Sequence, residues 1–327
     1  MTSLSDSPPT RLAGKRVFVV GGRGFVGSHV VRALIAAGAR PQLFGPPMAE
    51  DRLADVAGAF DEFTGTVESR AALRAALHGA RADAVVSCAA HGVGRVGLMR
   101  SGEAEADAAM GVNVLGFGKL LDAAREAGIG RVVWTSSTVV YGPAESYAAQ
   151  PVDEDAPVAP TTMYGLTKTL AEELARYHVR RYGMSVVGLR LPLILGPGLW
   201  YQGAAAALAG LFRAAGADAP YRLEFHDHPI DLMYAGDVGD AVVAVLRHAG
   251  PLQAVYNLEG FSAAASQIVR AARECRPGLA VEMVPTVPAI LFPLISGARL
   301  RADVSFTAKH DLSALVRALL QQDDASP

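Results

Sequence analysis

Cysteine is nearly absent: Cys88 and Cys275 are the only two in 327 residues. Two thiols cannot build a disulfide framework, and neither lies in metal-ligand spacing, so no metal is expected and a reduced, cytoplasmic setting fits. Charge of one sign is lacking too. A formal net charge of −2 carries no basic signal for nucleic acid. Long hydrophobic runs are missing. The most apolar late stretch, 284–295, is broken by Pro285, Pro288 and Pro293, and reads as a packed lobe or pocket wall rather than a membrane span. The first ten residues are polar, with two prolines and no apolar centre, so no signal peptide is visible and a disordered leader is expected. No internal repeat is apparent.

What is present is hydrophobic. Apolar residues reach 51%, enough for a large core, and the length suits about two domains or one large domain with an appended lobe. Val17-Phe18-Val19-Val20 reads as a buried parallel strand. Gly21, Gly24 and Gly27 follow, then a helix over 28–37 closed by Gly38. Glycines between a strand and a helix permit a tight turn. They also let backbone N–H groups approach a pyrophosphate, whose charge the helix N-terminus favours. No Lys-Ser or Lys-Thr follows them, which excludes the phosphate loop of nucleoside triphosphatases. Taken alone, the glycines also suit a turn that binds nothing.

A second strand is expected over 41–44. Dinucleotide folds place an Asp or Glu at its end, on the adenosine ribose. Gly45, followed by two prolines, stands there instead. No carboxylate repels a 2′-phosphate at that place and Arg23 is available to attract one, so the cofactor is NAD or NADP with the balance towards NADP. The alternative is that Arg23 points to solvent and Gly45 merely starts a turn.

Further on, 71–77 reads as a helix and 84–87 as a buried strand. Ala89 and Ala90 follow, small enough for a ligand to lie against the backbone, and then His91, a candidate for substrate contact or an ordinary loop histidine. One long helix over 103–127 contains Asn113, and 131–135 is the next strand. Alternating strands and helices argue for an α/β, doubly wound parallel sheet, with its ligand site outside the carboxyl ends of the strands. Thr135-Ser136-Ser137-Thr138 falls at such a strand end. After a proline-containing loop, Tyr164 and Lys168 lie four apart on a helix running to about Arg181, hence on one face. A neighbouring ammonium favours the phenolate. Drawing a tyrosine from its free pKa of about 10 towards neutrality takes about 3–4 kcal/mol, within reach of a close Lys in a partly desolvated site helped by a positive nicotinamide ring. Later, 235–247 reads as a helix and 255–258 as a strand.

Together these motifs resemble the extended short-chain dehydrogenase/reductase family, in its NAD(P)-dependent epimerase/dehydratase group. The resemblance rests on the glycine motif Gly21 to Gly27, Asn113-Val114-Leu115-Gly116, Ser137, Tyr164 with Lys168, Leu189-Arg190, Gly196-Pro197-Gly198 and the block 231–238, and it spans about 15–260. It implies a Rossmann-type domain over 11–190, rejoined by 232–258, with 191–327 mainly a smaller substrate-binding lobe. It implies Tyr164 as general acid or base, Ser137 orienting the same substrate oxygen, and Lys168 lowering the Tyr164 pKa while holding the nicotinamide ribose. The implied cofactor residues are Gly21, Arg23, Gly24, Phe25, Val26, Gly27, Gly45, Ala89, Ala90, Asn113, Tyr164, Lys168, Pro192 and Leu193. His91, Thr138, Trp200 and Arg222 are the substrate candidates, and Tyr201, Arg213, His226 and His228 are further pocket candidates. Arg299 and Arg301 are either anion binders or plain surface. A homodimer is also implied, pairing the helices at 103–127 and 162–181.

Departures from the family pattern narrow the substrate. Dehydratases of the group carry an Asp-Glu pair after the active Ser or Thr; here Thr138 and Val139 follow, which argues against dehydration. Leu193 and Ile230 replace an Asn and an Arg that serve nucleotide diphosphates in relatives. A buried phosphate without donors is costly, so a small polar substrate is favoured: sugar-derived, a sugar acid, or an aldehyde or ketone. Net oxidation or reduction, epimerisation with tightly bound NAD, and a non-catalytic dinucleotide sensor remain the three alternatives.

Overall fold

The computed structural model describes residues 12–214 and 219–323; the expected leader lies outside them. Seven parallel strands form the central sheet in the order β10-β6-β5-β4-β1-β2-β3. They are β1 (Arg16–Val20), β2 (Arg40–Gly45), β3 (Asp61–Thr64), β4 (Ala84–Ser87), β5 (Arg131–Ser137), β6 (Ser185–Leu191) and, returning late in the chain, β10 (Val255–Asn257). The helices α1 (Phe25–Ala36), α2 (Arg70–Ala80), α3 (Leu98–Ala104), α4 (Ala106–Met110), α5 (Phe117–Glu126), α6 (Met163–Tyr182) and α8 (Ala235–Arg247) belong to this layer. The central strands are valine-rich because helices cover both faces, leaving no polar side. Strand order reverses between β1 and β4, and this is where a crevice opens in such sheets.

The remaining elements form the lobe. β7 (Leu193–Leu195), β9 (Ile230–Tyr234) and β11 (Phe261–Ala263) make a three-stranded sheet; β8 (Tyr221–Phe225) pairs with β12 (Val281–Pro285). Helices α7 (Ala204–Arg213), α9 (Ala265–Cys275), α10 (Ala298–Val304) and α11 (Leu312–Asp323) complete it. One apolar cluster runs from Val17 and Val31 through Val242 to Leu208, Leu223, Ile268 and Leu315, so sheet and lobe share a core.

Three expectations change. The long helix over 103–127 is broken: Glu105 leaves helical geometry (φ −135°, ψ 64°), and a π-helical turn occupies Gly111–Gly116 before α5 begins. The wider turn carries Asn113 inward, and it packs tightly because a Cβ on Gly116 would meet the Val67 side chain at 2.6 Å. Helix α1 starts three residues earlier than read, so Gly27 lies inside its first turn. The stretch 284–295 is not a buried lobe. After β12 it runs back as a strap, with Val287 94% exposed, and is clipped to the loop after β5. The clips are Ala144 N–H to the Leu291 carbonyl and Val152 N–H to the Leu294 carbonyl.

Candidate active site

The glycine turn is built by exclusion of side chains. Gly21 has φ +75°, and a Cβ on it would come within 3.0 Å of the Ala89 nitrogen, so β1 and the end of β4 touch here. A Cβ on Gly27 would run into the Gly21 carbonyl. The first bond of α1 is Ser28 N–H to the Gly24 carbonyl, which leaves the Phe25, Val26 and Gly27 amides directed out of the helix N-terminus. That is a cradle for a pyrophosphate. Around Gly45 a Cβ would meet nothing within 4 Å, leaving space at the end of β2.

Arg23 is not the free cation expected. Its guanidinium grips Glu62 through Nε (2.6 Å) and Nη2 (2.9 Å), and Asp51 through Nη1 (2.7 Å). The bonds to Glu62 first, then those to Asp51, raise its pKa further. Glu62 lies 39 positions from Arg23, on β3, and only the β2–β3 pairing brings it there.

The second half of the site is the junction of β5 and α6. Thr162 caps α6, its Oγ1 accepting the Gly165 N–H at 3.0 Å, and Gly183 ends the helix at φ +65°. Lys168, 3% exposed, donates from Nζ to the Thr135 carbonyl at 2.7 Å. Ser137 ends β5 opposite Leu191, so Pro192 and Leu193 flank it. Thr138 starts a short 3₁₀ turn, and a Cβ on Gly165 would strike the Val139 carbonyl; β5 and α6 are thus locked together. The Nζ of Lys168 lies 5.6 Å from the centre of the Tyr164 ring. The expected drawing-down of the phenol counts on a positive nicotinamide ring beside Lys168, and in the dinucleotide-free chain burial dominates both groups. Burial raises the Tyr164 pKa, and burial lowers Lys168 to about 8. Desolvation disfavours charge on both, and a further positive charge in the site is needed to favour phenolate.

Asn113 holds the two halves together. Its Oδ1 accepts the His91 N–H at 2.8 Å and its Nδ2 donates to Thr167 Oγ1 at 3.0 Å; Thr167 in turn donates to the Tyr164 carbonyl. Its amide is therefore a protein clamp rather than a free cofactor ligand. The His91 ring lies with Nε2 3.1 Å from Glu105, without hydrogen-bond alignment. Trp200 stacks at 3.8 Å under the Arg52 guanidinium, so its face is taken by a protein cation rather than left to a substrate. Its neighbour Tyr201 lies 6.1 Å, edge-on, from Phe25 at the glycine turn. Arg222 is not at the site; it is an exposed residue of β8, paired with Glu224 and Glu282. Arg299 and Arg301 are likewise engaged, with Glu154 and Asp155 and with Glu259.

One network was not read from the sequence. Glu172, a turn beyond Lys168 and buried, accepts from Ser136 Oγ (2.8 Å) and from Arg190 Nε (2.9 Å) and Nη2 (2.7 Å). Arg190 also donates to the Tyr141 hydroxyl at 2.7 Å. The spacing Lys-x-x-x-Glu on the buried face of α6 was the available signal.

The profile of the NAD-dependent epimerase/dehydratase family matches residues 17–258. The chain belongs to that family. Members of it include a UDP-glucose 4-epimerase of Azospirillum brasilense, 30% identical over 332 residues, covering 94% of this chain and 92% of that protein. A D-erythronate dehydrogenase of Cupriavidus necator is 31% identical over 277 residues, covering 79% and 81%. Among solved structures, the UDP-glucose 4-epimerase of Thermus thermophilus, in complex with NAD, superposes with a TM-score of 0.81 at 24% identity over 95% of this chain and all of that one, a likeness of fold. The chain is thus an enzyme of a family whose members include epimerases, dehydrogenases and reductases that work on small molecules.

Proposed function

We infer that this family member oxidises or reduces a hydroxyl or carbonyl carbon of a small polar substrate with NAD. The observation that carries the reading is that Lys168, one turn beyond Tyr164 on α6, is bonded to the Thr135 carbonyl two residues before Ser137 at the end of β5, together with a glycine turn that only backbone can fill. The residues fit a dinucleotide: the α1 amides for its pyrophosphate, the space at Gly45 for its adenosine, and the two N–H donors of Lys168 not directed at Thr135 for a ribose. Bound nicotinamide supplies the hydride acceptor or donor and a positive charge in its oxidised form. Tyr164 takes the proton of the substrate hydroxyl during oxidation and returns it during reduction, while Ser137 holds the same oxygen.

NAD rather than NADP is the reading we adopt, because Asp51 and Glu62 neutralise Arg23 and repel a 2′-phosphate. A sugar acid or other small hydroxy compound is favoured over a nucleotide sugar, supported by the apolar Leu193 and Ile230 and by the engagement of Arg222 on β8. Epimerisation is the second reading, favoured by the near full-length match to a UDP-glucose 4-epimerase. A cytoplasmic homodimer joined through the faces that expose Leu115, Leu166 and Tyr177 completes the proposal. The test is absorbance of reduced nicotinamide during turnover of D-erythronate, D-glucuronate and UDP-glucose. Stoichiometric appearance with a free acid supports net oxidation; conversion of UDP-glucose without net change supports epimerisation. Tyr164→Phe reduces either by about 10²–10⁴-fold while leaving NAD affinity in calorimetry nearly unchanged; equal activity in the variant overturns the assignment.

A further inference from the structure

The glycine-turn cradle is ringed by contacts that can be followed all the way round. Its floor is Gly21 against Ala89, whose nitrogen lies 3.0 Å from where a Gly21 Cβ would stand. The two walls leave the sheet on opposite faces. The α1 wall packs into the core shared with α8, whereas the loop 91–97 after β4 leads through α3 towards α5, which packs on the other face. The roof is segment 196–203, which joins the walls above the strand ends. Its α1 end is firmly held. His29 Nε2 lies 3.0 Å from the Pro197 carbonyl, Arg52 Nε donates to the Gly198 carbonyl at 3.3 Å, and the Arg52 guanidinium stacks on Trp200. Leu199 is buried in the shared core, and Tyr201 lies edge-on to Phe25, the first residue of α1. The loop wall is firm as well. His91 N–H donates to Asn113, and the Val96 N–H closes a turn on the Val93 carbonyl. The buried Ser101 hydroxyl accepts the Val93 N–H and donates to the Val96 carbonyl.

Roof and loop wall meet at a seam of backbone. Gln202 N–H donates to the Arg95 carbonyl at 2.5 Å, and Val96 and Gln202 form a parallel bridge; among the described residues no side chain hydrogen-bonds across it. Val96 is 40% exposed, so the seam lies at the surface. A Cβ on Gly97 would stand 2.7 Å from the Gln202 carbonyl oxygen, yet Gly97 has φ −66° and ψ 151°, which suit any residue. The close approach of the roof, not the backbone conformation, excludes a side chain there. A dinucleotide laid along the strand ends from Gly45 to Lys168 threads this ring. Its two nucleoside ends are wider than the pyrophosphate between them, so it passes in or out only when the ring opens. We propose that the seam between Gly97 and Gln202 is the door of the cofactor site, parting to admit the dinucleotide and closing over its pyrophosphate. This rests on the oxidoreductase reading above.

Two variants push the door in opposite directions. Release of NADH is followed by its fluorescence in stopped flow as excess NAD displaces it, so no substrate is needed. Gly97→Ala sets a methyl against the Gln202 carbonyl and releases NADH at least about tenfold faster than wild type, with the melting temperature of the dinucleotide-free protein little changed. Val96→Cys with Gln202→Cys, in a Cys275→Ser background, places a thiol on each side of the bridge. Loaded with NADH and oxidised by diamide, which takes up the two hydrogens as the S–S bond forms, this pair releases NADH at least about tenfold more slowly. Dithiothreitol restores the rate. The pair decides alone if Gly97→Ala does not fold. Release at the wild-type rate from the oxidised pair, or from folded Gly97→Ala, overturns the proposal. Two thiols that stay unpaired show that the seam does not close, and overturn it as well. Wild-type protein that binds no NADH overturns the oxidoreductase reading itself, an outcome seen before any variant is compared.

Discussion

Lys168 carries its ammonium into an almost dry place, and its stability signature follows. Its pKa is about 8 in the folded chain because burial penalises the charge. An unfolded lysine titrates near 10.4. Between those values the unfolded chain binds more protons, so this residue's contribution to stability rises with pH from about 8 to about 10.5, by up to about 3 kcal/mol. The groups facing it titrate elsewhere. Cys88 is pushed up to about 12 and Tyr164 is raised, both by burial. Urea unfolding of dinucleotide-free protein from pH 7.5 to 10.5 is expected to show the rise in wild type and not in Lys168→Met; parallel curves would refute the origin assigned. The burial that makes this residue costly also makes it effective, because its charge is poorly screened by water when an opposite charge forms beside it.

Elements show why single side chains matter here. Gly27 sits in the first turn of α1, where a methyl would collide with the Gly21 carbonyl backbone. Gly27→Ala is expected to abolish NAD binding in calorimetry and to lower stability by about 1–3 kcal/mol. Glu172 ties α6 to β5 and β6. Glu172→Leu strands the buried Arg190 guanidinium and is expected to cost about 3–5 kcal/mol in denaturant unfolding. A loss below about 1 kcal/mol would mean that Arg190 finds another partner. What the sequence revealed follows the same division. Local periodicity disclosed α6 with Tyr164 and Lys168 on one face, the glycine turn, and the hydroxyl-rich end of β5. Helix propensity alone could not disclose the break before Asn113, since the Ala-rich run is a good helix and the π turn is imposed by packing of Gly116 on Val67. Nor could it place Arg222 on an exposed pair of lobe strands.

At the scale of the whole molecule, partners distant in sequence bear on the proposed choice of cofactor. Arg23 reads as a phosphate ligand until Glu62 and Asp51 are folded onto it. NAD is expected to bind at least about tenfold more tightly than NADP in calorimetry, a modest charge effect of about 1.4 kcal/mol. Asp51→Asn with Glu62→Gln, which frees the guanidinium, is expected to narrow or reverse that preference. Equal affinities in the wild type would show that the 2′-phosphate never approaches Arg23. The shared core has a different kind of consequence. Because one apolar cluster joins β1 and α1 to α7, α9 and α11, the lobe is not an interchangeable cassette. A chimera cut after β6 would part Leu208, Leu223, Val242 and Ile268 on one side from Val17 and Val31 on the other. New specificities in this scaffold are therefore to be sought by single exchanges around Trp200 and Tyr201, leaving both halves of the core their native neighbours.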